Sequence, residues 1–174
     1  MVNVIKIAET KRLIIAKMTL NDASFMLKLL NTPHWIKYIG DRNIKTIDEA
    51  KTYLKNGVLK SYAELGFGFY KLMLKEENNK TIGTCGLIKR EQLDGIDIGF
   101  ALLPDYEGKG FGYESSLEIM AFAEHTLQLK RILAITNPIN SNSIKLLEKL
   151  GLTYQKRVKP FDDNEELLLF AKTF

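Results

Sequence analysis

The sequence predicts one α/β domain, in which a central mixed sheet of about six to seven strands is flanked by about four helices. Three observations support this prediction. The chain of 174 residues has the length of one domain with its own core, so we assign residues 1–174 to a single domain. Polar connections at Glu76–Asn79 and Asp94–Gly95 separate three successive strand patterns, which favours antiparallel pairing. A helical pattern then joins the third strand to a fourth, and such a crossover favours a parallel pair.

The first half of the chain predicts a strand and two helices. The strand covers Arg12–Met18. Thr19 stands three residues before Asp22, and Thr46 stands three residues before Glu49, which are both helix-start signals. Apolar residues at helical spacing follow each signal, so each helix has a face that can pack on the sheet.

The connection Pro33–Asn43 is predicted to lie between these two helices, outside regular structure. It is rich in aromatic residues, and connections of this kind often carry binding residues. Trp35 and Tyr38 are therefore candidates for substrate binding. The alternative for Trp35 is that its ring only fills the core.

The second half of the chain supplies the rest of the sheet. One helix is predicted from Tyr113 onward, and another over Ser143–Leu150, where Gly151 closes it. The further strands are predicted at Phe67–Leu74, Thr81–Ile88, Ile96–Leu102, Arg131–Thr136 and Leu167–Ala171.

The composition is that of an ordinary soluble globular protein, with 45% hydrophobic and 26% charged residues. The formal net charge is +4, and Lys and Arg are spread along the chain, which argues against a dedicated nucleic-acid binder. The N-terminal sequence lacks the pattern of a signal peptide, and no apolar stretch reaches membrane-spanning length. We therefore expect a cytoplasmic protein with no direct nucleic-acid or membrane partner.

The only cysteine and the two histidines give no sign of a metal or nucleophilic site. Cys85 lies in a strand-like run and is expected to be buried, because a free Cys packs as a small hydrophobe. His34 and His125 are far apart in the chain, so they do not have the spacing of metal ligands. We read His34 as a turn residue beside Pro33 and expect no metal.

A glycine-rich loop follows the strand Ile96–Leu102, which ends before Pro104. Glycines let a loop turn its N–H groups toward an anion, and the helix that follows adds the positive end of its dipole. Lys109 would add a positive charge. The alternative is that the glycines only shape a tight turn. The Walker and dinucleotide fingerprints both fail on this loop, which reads Glu107-Gly108-Lys109-Gly110-Phe111-Gly112.

This loop resembles the acetyl-CoA loop of the GCN5-related N-acetyltransferases, whose pattern is Gln or Arg, two residues, Gly, one residue, then Gly or Ala. Gly110 and Gly112 fall on this pattern, whereas Glu107 departs from it. The resemblance extends over nearly the whole chain to the subgroup of ribosomal-protein N-terminal acetyltransferases. Glu9–Leu13 resembles the opening strand of that subgroup, and Asn137–Gly151 resembles its second cofactor motif.

The resemblance implies a transferase that moves an acetyl group from acetyl-CoA to an amine by direct attack. It also implies that two parallel strands splay apart and hold the cofactor between them. The acceptor would be a protein N-terminus or a small-molecule amine, and the protein would be a monomer or a homodimer. The cofactor-binding residues implied are Phe100, Ala101, Leu102, Glu107, Gly108, Lys109, Gly110, Phe111, Gly112, Tyr113, Asn140 and Ser143.

Three residues are candidates for proton transfer, and the two preferred ones each have a structural alternative. Ser143 is the candidate acid for the leaving sulfur, unless it only caps the helix with Asn140 or Ser141. Tyr154 is the second choice of acid. Asp97 is the candidate base, acting through water, unless it is a solvated residue on the polar face of its strand. A different class of function also stays open, namely a non-catalytic acyl-CoA-binding or ribosome-docking module on the same fold.

Overall fold

The computed structural model describes residues 4–174, and the chain runs through them as a sheet covered by helices. Helices α1 to α6 cover Ala23–Leu30, Pro33–Tyr38, Ile47–Leu54, Lys60–Leu65, Phe111–Ala121 and Ser141–Lys149. Strands β1 to β8 cover Lys6–Glu9, Leu13–Lys17, Phe69–Leu74, Lys80–Lys89, Ile96–Leu102, Arg131–Thr136, Thr153–Val158 and Leu167–Thr173.

The strands form one sheet in the order β1-β2-β3-β4-β5-β6-β8-β7. Neighbours pair antiparallel except β5 and β6, which are parallel. The predicted mixed sheet is therefore confirmed, with its parallel pair at the predicted place. Eight strands exceed the predicted number, because no range was predicted for the two edge strands, β1 and β7; β1 has only four residues and no alternating apolar pattern.

The connection between the first two predicted helices contains a helix that the sequence did not predict. Pro33 is the first residue of α2, where a proline is well tolerated because no intrahelical N–H bond is required there. The expectation that Pro33–Asn43 lies outside helices is thus wrong for Pro33–Tyr38. His34 accordingly lies in a helix and not in a turn.

Both predicted helix-start signals are present as capping boxes. The Thr19 side chain accepts from the N–H of Asn21, and the Asp22 carboxylate accepts from the N–H of Thr19. At the start of α3, the Thr46 side chain accepts from the N–H of Glu49, and the Glu49 carboxylate accepts from the N–H of Thr46.

A buried ion pair joins the start of α1 to the sheet. Lys71 Nζ lies 2.9 Å from Asp22 Oδ1 and 3.0 Å from Oδ2. Both side chains are about nine-tenths buried. Because the carboxylate also accepts from the N–H of Thr19, this pair fixes where the chain leaves the sheet to enter its helical layer.

Cys85 is fully buried, as predicted, with its sulfur 3.7 Å from the hydroxyl of Ser116. Burial raises the pKa of its thiol to about 11, which disfavours the thiolate. Among the described residues, no helix is long and apolar enough to cross a membrane.

Candidate functional site

The parallel strands β5 and β6 meet at only one point, where Asp97 pairs with Leu133. Beyond it they separate, although each keeps its other neighbour: β5 pairs with β4 along Ile96–Leu102, and β6 pairs with β8 along Arg131–Thr136. The separation opens a cavity of about 770 Å³ between them. This is the splayed strand pair that the resemblance implied.

The glycine loop lies at one end of this cavity and is shaped for close approach of a ligand. Gly108 and Gly110 adopt left-handed conformations with φ of 70° and 84°. Gly110 is the N-cap of α5, and no side chain caps that helix. The first amides of α5 are therefore left for an anionic group, as at other phosphate-binding helix termini.

Arg12, which the sequence analysis did not single out, holds the loop from the outside. Its guanidinium lies 2.6 Å from Glu114 Oε2 and donates to the carbonyl of Lys109 at 2.9 Å. It also lies 4.2 Å above the centre of the Phe111 ring. The turn between β1 and β2 thus fixes both the loop and the first turn of α5.

Most of the predicted cofactor-binding residues line the cavity, but two side chains do not. Phe111 is buried in the core, and Lys109 Nζ lies 5.6 Å from the ring centre of Tyr106. The ammonium group of Lys109, which was expected to add a positive charge to the loop, therefore lies over the ring of Tyr106. The residues that do line the cavity are Phe100, Ala101, Leu102, Glu107, Gly108, Gly110, Gly112, Tyr113, Asn140 and Ser143.

Glu107, which departs from the family pattern, is engaged by a side chain of α2. His34 Nδ1 lies 2.6 Å from Glu107 Oε2, and both residues line the cavity. An unpaired carboxylate would repel a bound pyrophosphate, whereas here the carboxylate of Glu107 has a partner in the imidazole of His34. This contact joins α2 directly to the glycine loop.

Trp35 and Tyr38 also line the cavity from α2. Trp35 is both a core residue and a cavity residue. Its side chain is only 8% exposed and packs in the hydrophobic core, and it also borders the cavity.

Asp97 is buried at the point where β5 and β6 meet, with 1% of its surface exposed. Arg90 Nε lies 3.2 Å from each of its carboxylate oxygens. Burial raises the pKa of Asp97 to about 6, and Arg90 opposes that rise. The alternative of a solvated surface residue is therefore wrong. Strand alternation identified a polar position but could not show that this face of the sheet is covered too.

Asn140, and not Ser143, caps the N-terminus of α6. Its side-chain oxygen accepts from the N–H of Ser143 at 3.1 Å, and the helix starts at Ser141, two residues earlier than predicted. The Ser143 hydroxyl makes no hydrogen bond to another residue of the described chain and lies at the cavity. Tyr154 is 52% exposed on β7 and packs edge-on against Phe170, outside the cavity lining.

Comparisons with known proteins agree with this architecture. An N-acetyltransferase of Bacillus licheniformis, p20, whose role is uncharacterised, is 27% identical over 166 residues, which is 95% of this chain and 92% of that protein. The ribosomal-protein-S5-alanine acetyltransferase of Vibrio fischeri superposes with a TM-score of 0.80 at 22% identity, covering 95% of both chains. The L7/L12 α-N-protein acetyltransferase RimL in complex with coenzyme A has a TM-score of 0.81 at 13% identity, covering 99% of this chain and 98% of that one.

The structural likenesses establish the fold, and the family model establishes the family. The model for the acetyltransferase (GNAT) domain matches residues 12–153, which include the glycine loop, the splayed strands and α6. The chain therefore belongs to the GNAT family of acetyltransferases, which use acetyl-CoA as the acetyl donor.

Proposed function

We propose that this protein transfers the acetyl group of acetyl-CoA to a primary amine by direct attack, with Asp97 as the proton acceptor and Ser143 as the proton donor. The observation that carries the proposal is the placement of a buried carboxylate with a raised pKa in the same cavity as an uncapped helix terminus and the splayed strands. The amine is that of a protein N-terminus or of a small molecule.

The residues at the cavity fit the donor in shape and chemistry. The loop 108–112 presents backbone N–H groups to a pyrophosphate, and a Cβ on Gly108 would meet no atom within 4 Å, so the loop is open there. The backbone of Phe100–Leu102 faces the gap between the strands, where an extended arm can pair with it. Acetyl-CoA supplies the activated acyl group when it is bound.

Asp97 suits the removal of a proton from an acceptor ammonium group. A base works best when its pKa lies near the working pH, and a value of about 6 is closer to neutrality than that of an ordinary Asp. Arg90 keeps the carboxylate largely ionised despite its burial. Asp97 lies where the strands part, so a water molecule or the amine itself can reach it from the cavity.

The sulfur of coenzyme A, which leaves when the acetyl group is transferred, requires a proton. Ser143 offers a hydroxyl at the cavity that helix capping does not use. Direct attack is supported by Cys85, whose burial and raised pKa make it unsuited to carry the acyl group.

A test of the proposal is the release of free coenzyme A from acetyl-CoA in the presence of a panel of primary amines. Amine-dependent thiol release, together with an acetylated amine detected by mass spectrometry, is the expected result. Tight binding of acetyl-CoA without release for any amine or peptide would instead indicate a non-catalytic binding module.

Ser143→Ala should lower turnover by about a hundredfold or more while thermal stability stays the same. The helix keeps its cap, because the group that caps it belongs to Asn140. Asn140→Ala is the matched control, and it should cost about 1 kcal/mol of stability. An equal loss of stability in both variants would show that Ser143 is structural.

Gly108→Val should weaken acetyl-CoA binding by about tenfold or more, because a branched side chain would stand at the open surface of the loop. Gly66→Val is the matched control. Gly66 has a similar φ of 78°, also has no atom within 4 Å of an added Cβ, and does not line the cavity. Both variants should lose similar stability, so calorimetric titration isolates the binding effect. Equal affinities in the two variants would remove the loop from the binding site.

A further inference from the structure

The surroundings of Asp97 are apolar on the side of β3 and β4. Ile88 is its partner on β4 and lines the cavity beside it. Two residues further along β5, a Cβ on Gly99 would come within 3.0 Å of the end of the Phe69 ring. A substrate amine at Asp97 would therefore lie over an isoleucine and a phenylalanine.

The opposite side of this part of the cavity is also apolar. Phe161 lies between β7 and β8, and the Arg90 guanidinium is 5.6 Å from the centre of its ring. Ile135 on β6 and Leu167 on β8 line the cavity next to it. The carboxylate of Asp97 thus lies in an apolar enclosure whose nearest charge is its own partner, Arg90.

Each carboxylate that lines the cavity in the described part of the chain already has a partner. Asp97 pairs with Arg90 and Glu107 with His34, while Glu165 accepts from Asn137 Nδ2 at 2.6 Å. A second ammonium group placed against the apolar walls beside Asp97 would lose its hydration there, which is unfavourable.

We propose that the acceptor is a small monoamine with an apolar body, either aromatic or branched aliphatic; this rests on the function proposed above. A polyamine would bring its second charge against the apolar walls beside Asp97. Beside Asp97, where the walls are the side chains of Phe69, Ile88 and Phe161, the backbone N–H and C=O groups of a peptide would stay unpaired. An apolar body replaces water at these walls without such a cost.

One glycine offers a way to change this selectivity. The residues Lys55–Leu59 form a π-helical turn between α3 and α4, and Gly57 of this turn lines the cavity. The helix α4, which follows this turn, is tied to the segment before β3, because Ser61 Oγ donates to the carbonyl of Phe67 at 2.6 Å. A Cβ on Gly57 would meet no atom within 4 Å, so a side chain can begin there without a clash, and we expect a larger one to narrow the cavity.

The experiment compares kcat/KM for 2-phenylethylamine, 3-methylbutylamine, n-propylamine, spermidine and an alanine-initiated tetrapeptide at saturating acetyl-CoA. We expect the first two amines to exceed n-propylamine and spermidine by about tenfold or more, because pocket methylenes discriminate on this scale. Higher kcat/KM for spermidine or the peptide would overturn the apolar-amine inference and leave the acetyltransferase proposal standing. No turnover with any acceptor would overturn both.

Gly57→Leu provides the second measurement. It should reduce the ratio of kcat/KM for 2-phenylethylamine to that for n-propylamine by about tenfold, because the added side chain competes with the larger body. Gly57→Ala should change this ratio less. An unchanged ratio in a folded Gly57→Leu variant would show that the amine body lies elsewhere, which contradicts the inference.

Discussion

Asp97→Asn should lower turnover by about a hundredfold or more at neutral pH, because the amide keeps the shape of the side chain but cannot accept a proton. In the wild type, kcat/KM should rise with pH as Asp97 loses its proton around pH 6. The variant should lack this rise and recover part of its rate at higher pH, where more of the amine is already neutral. The measurement is kcat/KM as a function of pH for both proteins.

Arg90→Gln serves as the companion variant. Loss of the guanidinium removes the interaction that opposes burial, so the pKa of Asp97 should rise and the acidic limb of the profile should move to higher pH. Acetyl-CoA affinity should hold in both variants, since the glycine loop lies at the other end of the cavity. If Asp97→Asn has the rate and profile of the wild type, Asp97 is not the base.

The same pKa shift has a consequence for stability. The folded state raises the pKa of Asp97 from 3.8 to about 6, so folding favours the protonated carboxyl. The stability that Asp97 contributes is present below about pH 4 and is lost as the pH rises through about 6. Thermal unfolding followed across this range should show a loss that is absent from Asp97→Asn.

Lys71→Met should cost about 3–5 kcal/mol of unfolding free energy, because it leaves the Asp22 carboxylate buried without its cation. The N–H of Thr19 would remain as a donor to Asp22, but it carries no full charge. The measurement is the midpoint and slope of urea unfolding.

Two further variants test the origin of that loss. The double variant Lys71→Met, Asp22→Asn should recover much of the stability, since the amide is neutral and can still accept from Thr19. Lys60→Met is the control at an exposed ion pair, in which Lys60 Nζ lies 3.8 Å from Glu64 Oε1. Loss of this pair should cost less than about 1 kcal/mol of unfolding free energy. Equal losses from Lys71→Met and Lys60→Met would show that the buried pair contributes no special stability.

The features that could be predicted from the sequence are those formed by residues close together in the chain. The alternation in Ile96–Leu102, the glycines that follow it and the helix after them lie within one short stretch, so the loop and its helix could be located. Both capping boxes were also visible, because the residues that form each box lie three positions apart.

The sequence could not predict contacts between distant segments. Arg12 reaches Glu114 across 102 positions, and His34 reaches Glu107 from a helix that was itself missed. The surroundings of Asp97 could not be predicted for a different reason. Its partner Arg90 lies only seven positions away, but a hairpin brings the two together, and the burial that raises the pKa comes from both faces of the sheet being covered.

The single contact between β5 and β6 also divides the backbone hydrogen-bond network into two parts. Strands β1 to β5 form one continuous antiparallel ladder, and β6, β8 and β7 form another. Amide hydrogens facing the gap should exchange with solvent faster than those within either ladder, since local opening there breaks few bonds. A donor bound in the gap bridges both ladders and should slow that exchange, so protection factors on Phe100–Leu102 would report occupancy directly, without any turnover.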